Sequence, residues 1–193
     1  MSAVAARRWL LFAALSAVAA VSLQCQATRA RAVDSADWDL VYRVLQHPRC
    51  VNCHPAGDRP RVGDDFAPHP QNVQRGADGT GRLSMRCVAC HQDRNTDGAH
   101  LPPGAPHWQL PHPDMPLVFE GRSKQQLADQ LLDRAQNGGR SPEQLLHHVE
   151  HDPLVLWGWA PGTGRAPVDV PHAEFVAAFR GWLAANAPSA GGD

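Results

Sequence analysis

Spare cysteine is the first thing this sequence lacks. It has five, and four of them fall in two pairs, leaving only Cys25. No set of thiolates remains over to hold an iron–sulfur cluster beside those pairs. An excess of positive charge is also missing. The first 32 residues take four of the 18 basic side chains and none of the 19 acids. The remainder carries 14 against 19, a net charge of −5. A mildly acidic chain is a poor nucleic-acid binder; a basic face on a protein partner would suit it. Length is limited as well: 193 residues hold one domain or two very small ones. No thioredoxin-like βαβ pattern is visible, which argues against a dithiol redox centre.

What is present is a doubled signature: Cys50-Val51-Asn52-Cys53-His54 and Cys87-Val88-Ala89-Cys90-His91. Cys-x-x-Cys-His is the attachment pattern of a c-type haem. Two thiols one turn apart can add to the two vinyl groups of one haem, and the following His then binds the iron through one ring nitrogen. Two signatures predict two covalent haems, with His54 and His91 as proximal ligands. A single zinc shared by the four cysteines is the main alternative. The gap from Cys53 to Cys87 is long for a compact ribbon, and zinc leaves the two histidines unexplained. Two unrelated disulfides are a further alternative. Seventeen Pro and sixteen Gly predict long irregular stretches. Large covalent cofactors would supply apolar area that so small a chain needs.

Residues 1–32 read as an export leader. Arg7 and Arg8 precede an apolar run, Leu10 to Leu23, and Ala30-Arg31-Ala32 fits a small-x-small cleavage site with a mature start near Val33. The run is short for a membrane span, so an uncleaved anchor is the alternative. Gln24 before Cys25 is not the small residue a lipid anchor would want, and Cys25 goes with the leader.

The rest of the chain, 33–193, reads as one mainly α domain with long loops. A helix from Ser35 to Gln46 carries Trp38, Val41, Tyr42 and Leu45 on one face. Pro55 to Gly81 is loop, and so is the stretch from His91 to Pro116. Ser123 to Gln126 is a capping box opening a helix with Leu127, Leu131 and Leu132, ended by Asn137-Gly138-Gly139. Ser141-Pro142-Glu143-Gln144 opens another. Leu154 to Trp159 is a compact apolar stretch. A terminal helix from His172 to Ala185 aligns Phe175, Phe179, Trp182 and Leu183, followed by a frayed tail. Three side chains are candidate distal iron ligands. His69 is held between two prolines, and Met115 lies on a Pro-rich loop downstream of both motifs. His148 lies one turn beyond Leu145 on a helix. Met115 ranks first. Met85 is too near Cys87 to cross its own haem and is read as packing. His147 and His151 share a helix face and are read as surface groups.

The N-terminal helix leading into the first motif, the terminal helix and the Met-bearing loop resemble class I cytochromes c. More closely, the chain resembles a group of small bacterial exported dihaem proteins labelled isoquinoline 1-oxidoreductase subunits. The likeness is carried by His47 to Pro55, Asn72 to Gly76, Asp78 to Gly81, Asn137 to Arg140 and Leu154 to Trp159. It implies cytochrome c-like helices packed around two haems, a periplasmic location, and haem attachment after export of the unfolded chain. It also implies a single-electron carrier between a dehydrogenase or molybdenum hydroxylase-type donor and a cytochrome or oxidase acceptor. The chain is too short, and too poor in cysteine, to be the hydroxylase itself. A dihaem peroxidase-like enzyme and a haem-based sensor with an open iron site are the alternatives; no catalytic residue is assigned.

Overall fold

The computed structural model describes residue 33 and residues 35–187. The leader, Cys25 and the tail beyond Ala187 lie outside the described residues. Helix exceeds strand, 38% against 5%, which bears out the mainly α expectation.

Helix α1, Ala36–Leu45, begins where the sequence predicts: Ser35 accepts a hydrogen bond from the Trp38 amide at 3.1 Å. Asp37 and Asp39 sit in its first turn, favourable against the helix dipole. Trp38, Val41, Val44 and Leu45 are buried. Their partner is the C-terminal helix, which aligns Phe175, Phe179, Trp182 and Leu183 on its inner face, as predicted. The rings of Trp38 and Trp182 stack with centroids 4.3 Å apart. Two buried indoles in contact give this pair of helices much of its apolar area.

The first motif begins inside α2, Pro48–Val51, which has Pro48 at the first helical position and His47 as cap. The long loop that follows contains two small hairpins that the sequence did not reveal. Strands β1, Arg61–Val62, and β2, Ala67–Pro68, pair antiparallel; so do β3, Gly81–Arg82, and β4, Met85–Arg86. Gly81 has φ +93°, and a Cβ there would meet the Met85 carbonyl at 2.5 Å, so only glycine permits the second hairpin. A 3₁₀ turn, Cys87–Ala89, then carries the second motif.

Three further helices follow: α3, Lys124–Leu132, and α4, Pro142–His151, which add Leu127, Leu131 and Leu145 to the core, and α5, Pro153–Leu156, which buries none of its residues. A 3₁₀ turn, Trp157–Trp159, leads to the C-terminal helix α6, His172–Asn186. The capping boxes Ser123/Gln126 and Ser141/Gln144 are both formed. α3 stops earlier than predicted. Asp133 turns extended (ψ 111°), and its carboxylate caps the next turn through the Ala135 amide, before Asn137-Gly138-Gly139 is reached. Among the described residues no helix is long and apolar enough to cross a membrane.

Candidate functional site

Each Cys-x-x-Cys-His stretch folds as a single helical turn. The His54 amide donates to the Cys50 carbonyl at 3.2 Å, and the His91 amide to the Cys87 carbonyl at 2.9 Å. Each pair of thiols is thereby set one turn apart, with the His just beyond. All four are unbridged. Among the described residues no three His, Cys, Asp or Glu side chains gather to hold a metal ion. Burial of the sulfurs pushes the Cys50 thiol up to about 12 and Cys53 to about 11, and raises Cys87. These are not the low-pKa thiols of a redox dithiol.

The histidines are built alike. His54 Nδ1 lies 2.7 Å from the Leu117 carbonyl oxygen, and His91 Nδ1 lies 2.8 Å from that of Pro103. A carbonyl only accepts, so in each ring Nδ1 carries the hydrogen and Nε2 keeps its lone pair free for a metal. Burial lowers both pKa values, that of His54 to about 4, which keeps the rings neutral. Each ring also rests on a flat aromatic: His54 on Phe119 at 3.9 Å between centroids, His91 on Trp108 at 4.5 Å.

The strap behind His54 is tied to the helical core. Its three successive carbonyls, of Leu117, Val118 and Phe119, accept from His54, Gln130 of α3 and Gln46 after α1. The Phe119 amide donates back to the His54 carbonyl at 2.9 Å. The carbonyl behind His91 is set differently, by chain crossing chain. Asn95 accepts from the Gly104 amide at 3.0 Å, and a Cβ on Gly104 would meet the Gln92 and Arg94 carbonyls at 2.3 and 2.2 Å.

Beside the second motif lies a cavity of about 590 Å³, within the range of roughly 300–1,000 Å³ that takes a sizeable organic ligand. Cys87, Cys90 and His91 line it, and so does Cys53 of the first motif. His69 lines it too, with its ring centroid 6.2 Å from that of His91. Imidazole nitrogens bind first-row metals at about 2.0 Å, as for zinc, so two rings on one ion have centroids about 6 Å apart. Arg59 holds the His69 carbonyl, and His69 Nδ1 is buried with no hydrogen-bond partner. The orphaned nitrogen, the neighbouring thiols and the aromatic wall of Trp108 and Trp157 make these residues fit a covalently held haem.

On the first-motif side, His148 is half-buried on α4, and its Nδ1 lies 3.2 Å from the Asp152 carboxylate. This leaves Nε2 unused, the arrangement of a carboxylate-oriented ligand. Met115 is half-buried near the Gly138 turn. It lies only two residues from the carbonyl that grips His54. His147 and His151 are exposed, with rings 4.7 Å apart. Met85, read as packing, is 39% exposed and lines the cavity. Sequence reasoning missed the buried guanidiniums of Arg49 and Arg75, both lining the cavity. An arginine is ordinarily exposed, and only its position before a Cys marked Arg49 out.

No family model, no curated protein and no solved structure matches the chain.

Proposed function

We propose that this chain is an exported dihaem c-type cytochrome, periplasmic in location, that passes single electrons between a dehydrogenase-type donor and a downstream acceptor. The observation that carries the reading is repetition. Two segments with different surroundings build the same unit: a Cys-turn-Cys-His, a Nδ1–H fixed on a loop carbonyl, a free Nε2, and a flat ring behind the imidazole. Haem, when bound, supplies the one-electron couple; the chain tunes it through axial ligands, burial and nearby charge.

In this reading Cys50 and Cys53 tether one haem and Cys87 and Cys90 the other, with His54 and His91 as proximal ligands. His69 serves opposite His91, supported by the 6.2 Å ring separation and the unpartnered buried nitrogen. His148 serves opposite His54, supported by its Asp152 partner and free Nε2. Met115 is the weaker choice. Its two-residue tether to the Leu117 carbonyl spans at most about 7 Å, which keeps its backbone on the proximal side of His54.

The test is a spectroscopic redox titration of the purified mature protein, alongside its intact mass. The expected result is two covalent haems, both low-spin when oxidised, without the near-infrared sulfur-to-iron band of Met ligation. A colourless product, or a mass equal to the bare polypeptide, would overturn the proposal.

A further inference from the structure

The chamber beside the second motif is a cationic hole in a chain whose formal net charge is −1. Arg49, Arg61, Arg75, Arg86 and Arg165 line it against a single carboxylate, Asp64. Arg61 and Arg86 are matched outside it, by Glu120 and Asp78. Arg49 and Arg75 differ, because their side chains are only 2% exposed. Arg49 donates to the Gly63 carbonyl at 3.0 Å and contacts Asp64. Arg75 donates to the Pro111 and Gly57 carbonyls at 2.6 and 3.0 Å, and its Nε lies 3.5 Å from the Asp58 carboxylate. Both carboxylates are more than half exposed, so water screens the charge they offer. The Nε of Arg49 is buried without a hydrogen-bond partner, and that of Arg75 has only the long ion-pair contact to Asp58. A buried cation with an unused donor is costly, and an anion entering the chamber offsets that cost.

We propose that Arg49 and Arg75 form an anion clamp that receives the ring carboxylates of the tetrapyrrole tethered by Cys87 and Cys90. The clamp rests on the haem reading of that motif. Guanidinium is the side chain best shaped for carboxylate, and a flat apolar ring with acidic arms matches a chamber of tryptophan wall and buried charge. One arm of the clamp comes from the other unit. Arg49, Asn52 and Cys53, spaced i, i+3, i+4 along the first motif, all line the second motif's chamber. Arg49 also sits over the Trp157 ring, 5.8 Å from its centroid. The first motif therefore braces the acidic edge of the second cofactor.

A buried cation favours the reduced, less positive iron, so both arginines hold that potential up. Without them the carboxylates, unpaired in a dry site, take up a proton more readily, and the potential acquires a pH dependence. The experiment is a redox titration across neutral pH of the full haem-loaded protein, comparing wild type with Arg49→Gln, Arg75→Gln, Arg49→Lys and Arg75→Lys. His69, His91 and His100 also line the chamber and are common to all variants; Asp64 loses its partner in the Arg49→Gln variant, and the Arg75 variants, which leave the Arg49–Asp64 pair intact, control for it. The expected result is that one of the two potentials falls, less for Lys than for Gln, and gains a pH slope in the Gln variants, with two haems retained by mass. Should a Gln variant not fold, the Lys variant decides alone: a lowered potential supports the clamp, and an unchanged one overturns it. Two unshifted potentials in folded Gln variants would overturn the clamp and leave the haem reading standing. A colourless wild type would overturn both.

Discussion

The two Cys-x-x-Cys-His units share a local design but not a foundation. The first grows out of the helical core. α1 leads into it, Val51 is 3% exposed, and Gln46 and Gln130 fasten the strap behind His54. The second stands on a glycine hairpin and crossed loops. Its 3₁₀ turn buries no residue, Val88 is 62% exposed, and Leu83 at the hairpin tip is 88% exposed. Among the described residues from 56 to 116, the only buried apolar side chains are Ala105 and Leu110, and neither joins the core cluster. The loop half therefore has little of the apolar burial that stabilises the helical half.

The largest effect expected from this contrast is local. Cys87→Ala with Cys90→Ala should reduce the covalent haem count from two to one and open residues 56–116 to protease, while the far-UV helical signal stays. Equal loss of helix would show that the halves are not separable. Next comes the core: Trp182→Ala removes the ring stacked on Trp38 and should cost about 3–5 kcal/mol by denaturant unfolding, with both haems still attached by mass. His148→Ala should turn one haem high-spin and able to bind cyanide, whereas Met115→Ala leaves both low-spin; the reverse pattern would return Met115 to the sixth position. Ser141→Ala deletes a formed N-cap and should cost about 1 kcal/mol, read from the denaturant midpoint. The smallest effect is on pH dependence. The His148 hydrogen bond, with the capped amides of Leu154 and Val155, holds the Asp152 carboxyl below its usual value. A lowered carboxylate contributes stability that is present above the unfolded value of about 4 and is lost as pH falls through the folded value. Asp152→Asn should flatten that acid limb by lowering the neutral-pH midpoint, while the midpoint below the folded value stays nearly unchanged.

The helical half was legible because its signals are local. Ser35, Ser123 and Ser141 mark starts by their own chemistry, and Phe175, Phe179 and Trp182 mark a buried face by spacing alone. Where α3 ends was not legible, because Asp133 competes as a cap with a glycine pair downstream, and only tertiary packing decides between them. The hairpins escaped notice because two-residue strands show no period. The motif residues were legible as chemistry, but their surroundings were not. That His69 faces His91, and that Arg49 leans into the other unit's chamber, depend on contacts between segments distant in sequence, which no local pattern encodes.

The crossing at Gly104 bears on which changes the chain can tolerate. Its neighbour Pro103 supplies the oxygen that fixes His91, and the Gln92 and Arg94 carbonyls leave no room for even one methyl. In a random mutational library, then, the substitutions least compatible with function need not all fall among the packed helices. One of them is Gly104, buried where two loops cross, and there a single added carbon would displace the carbonyl that orients the His91 imidazole.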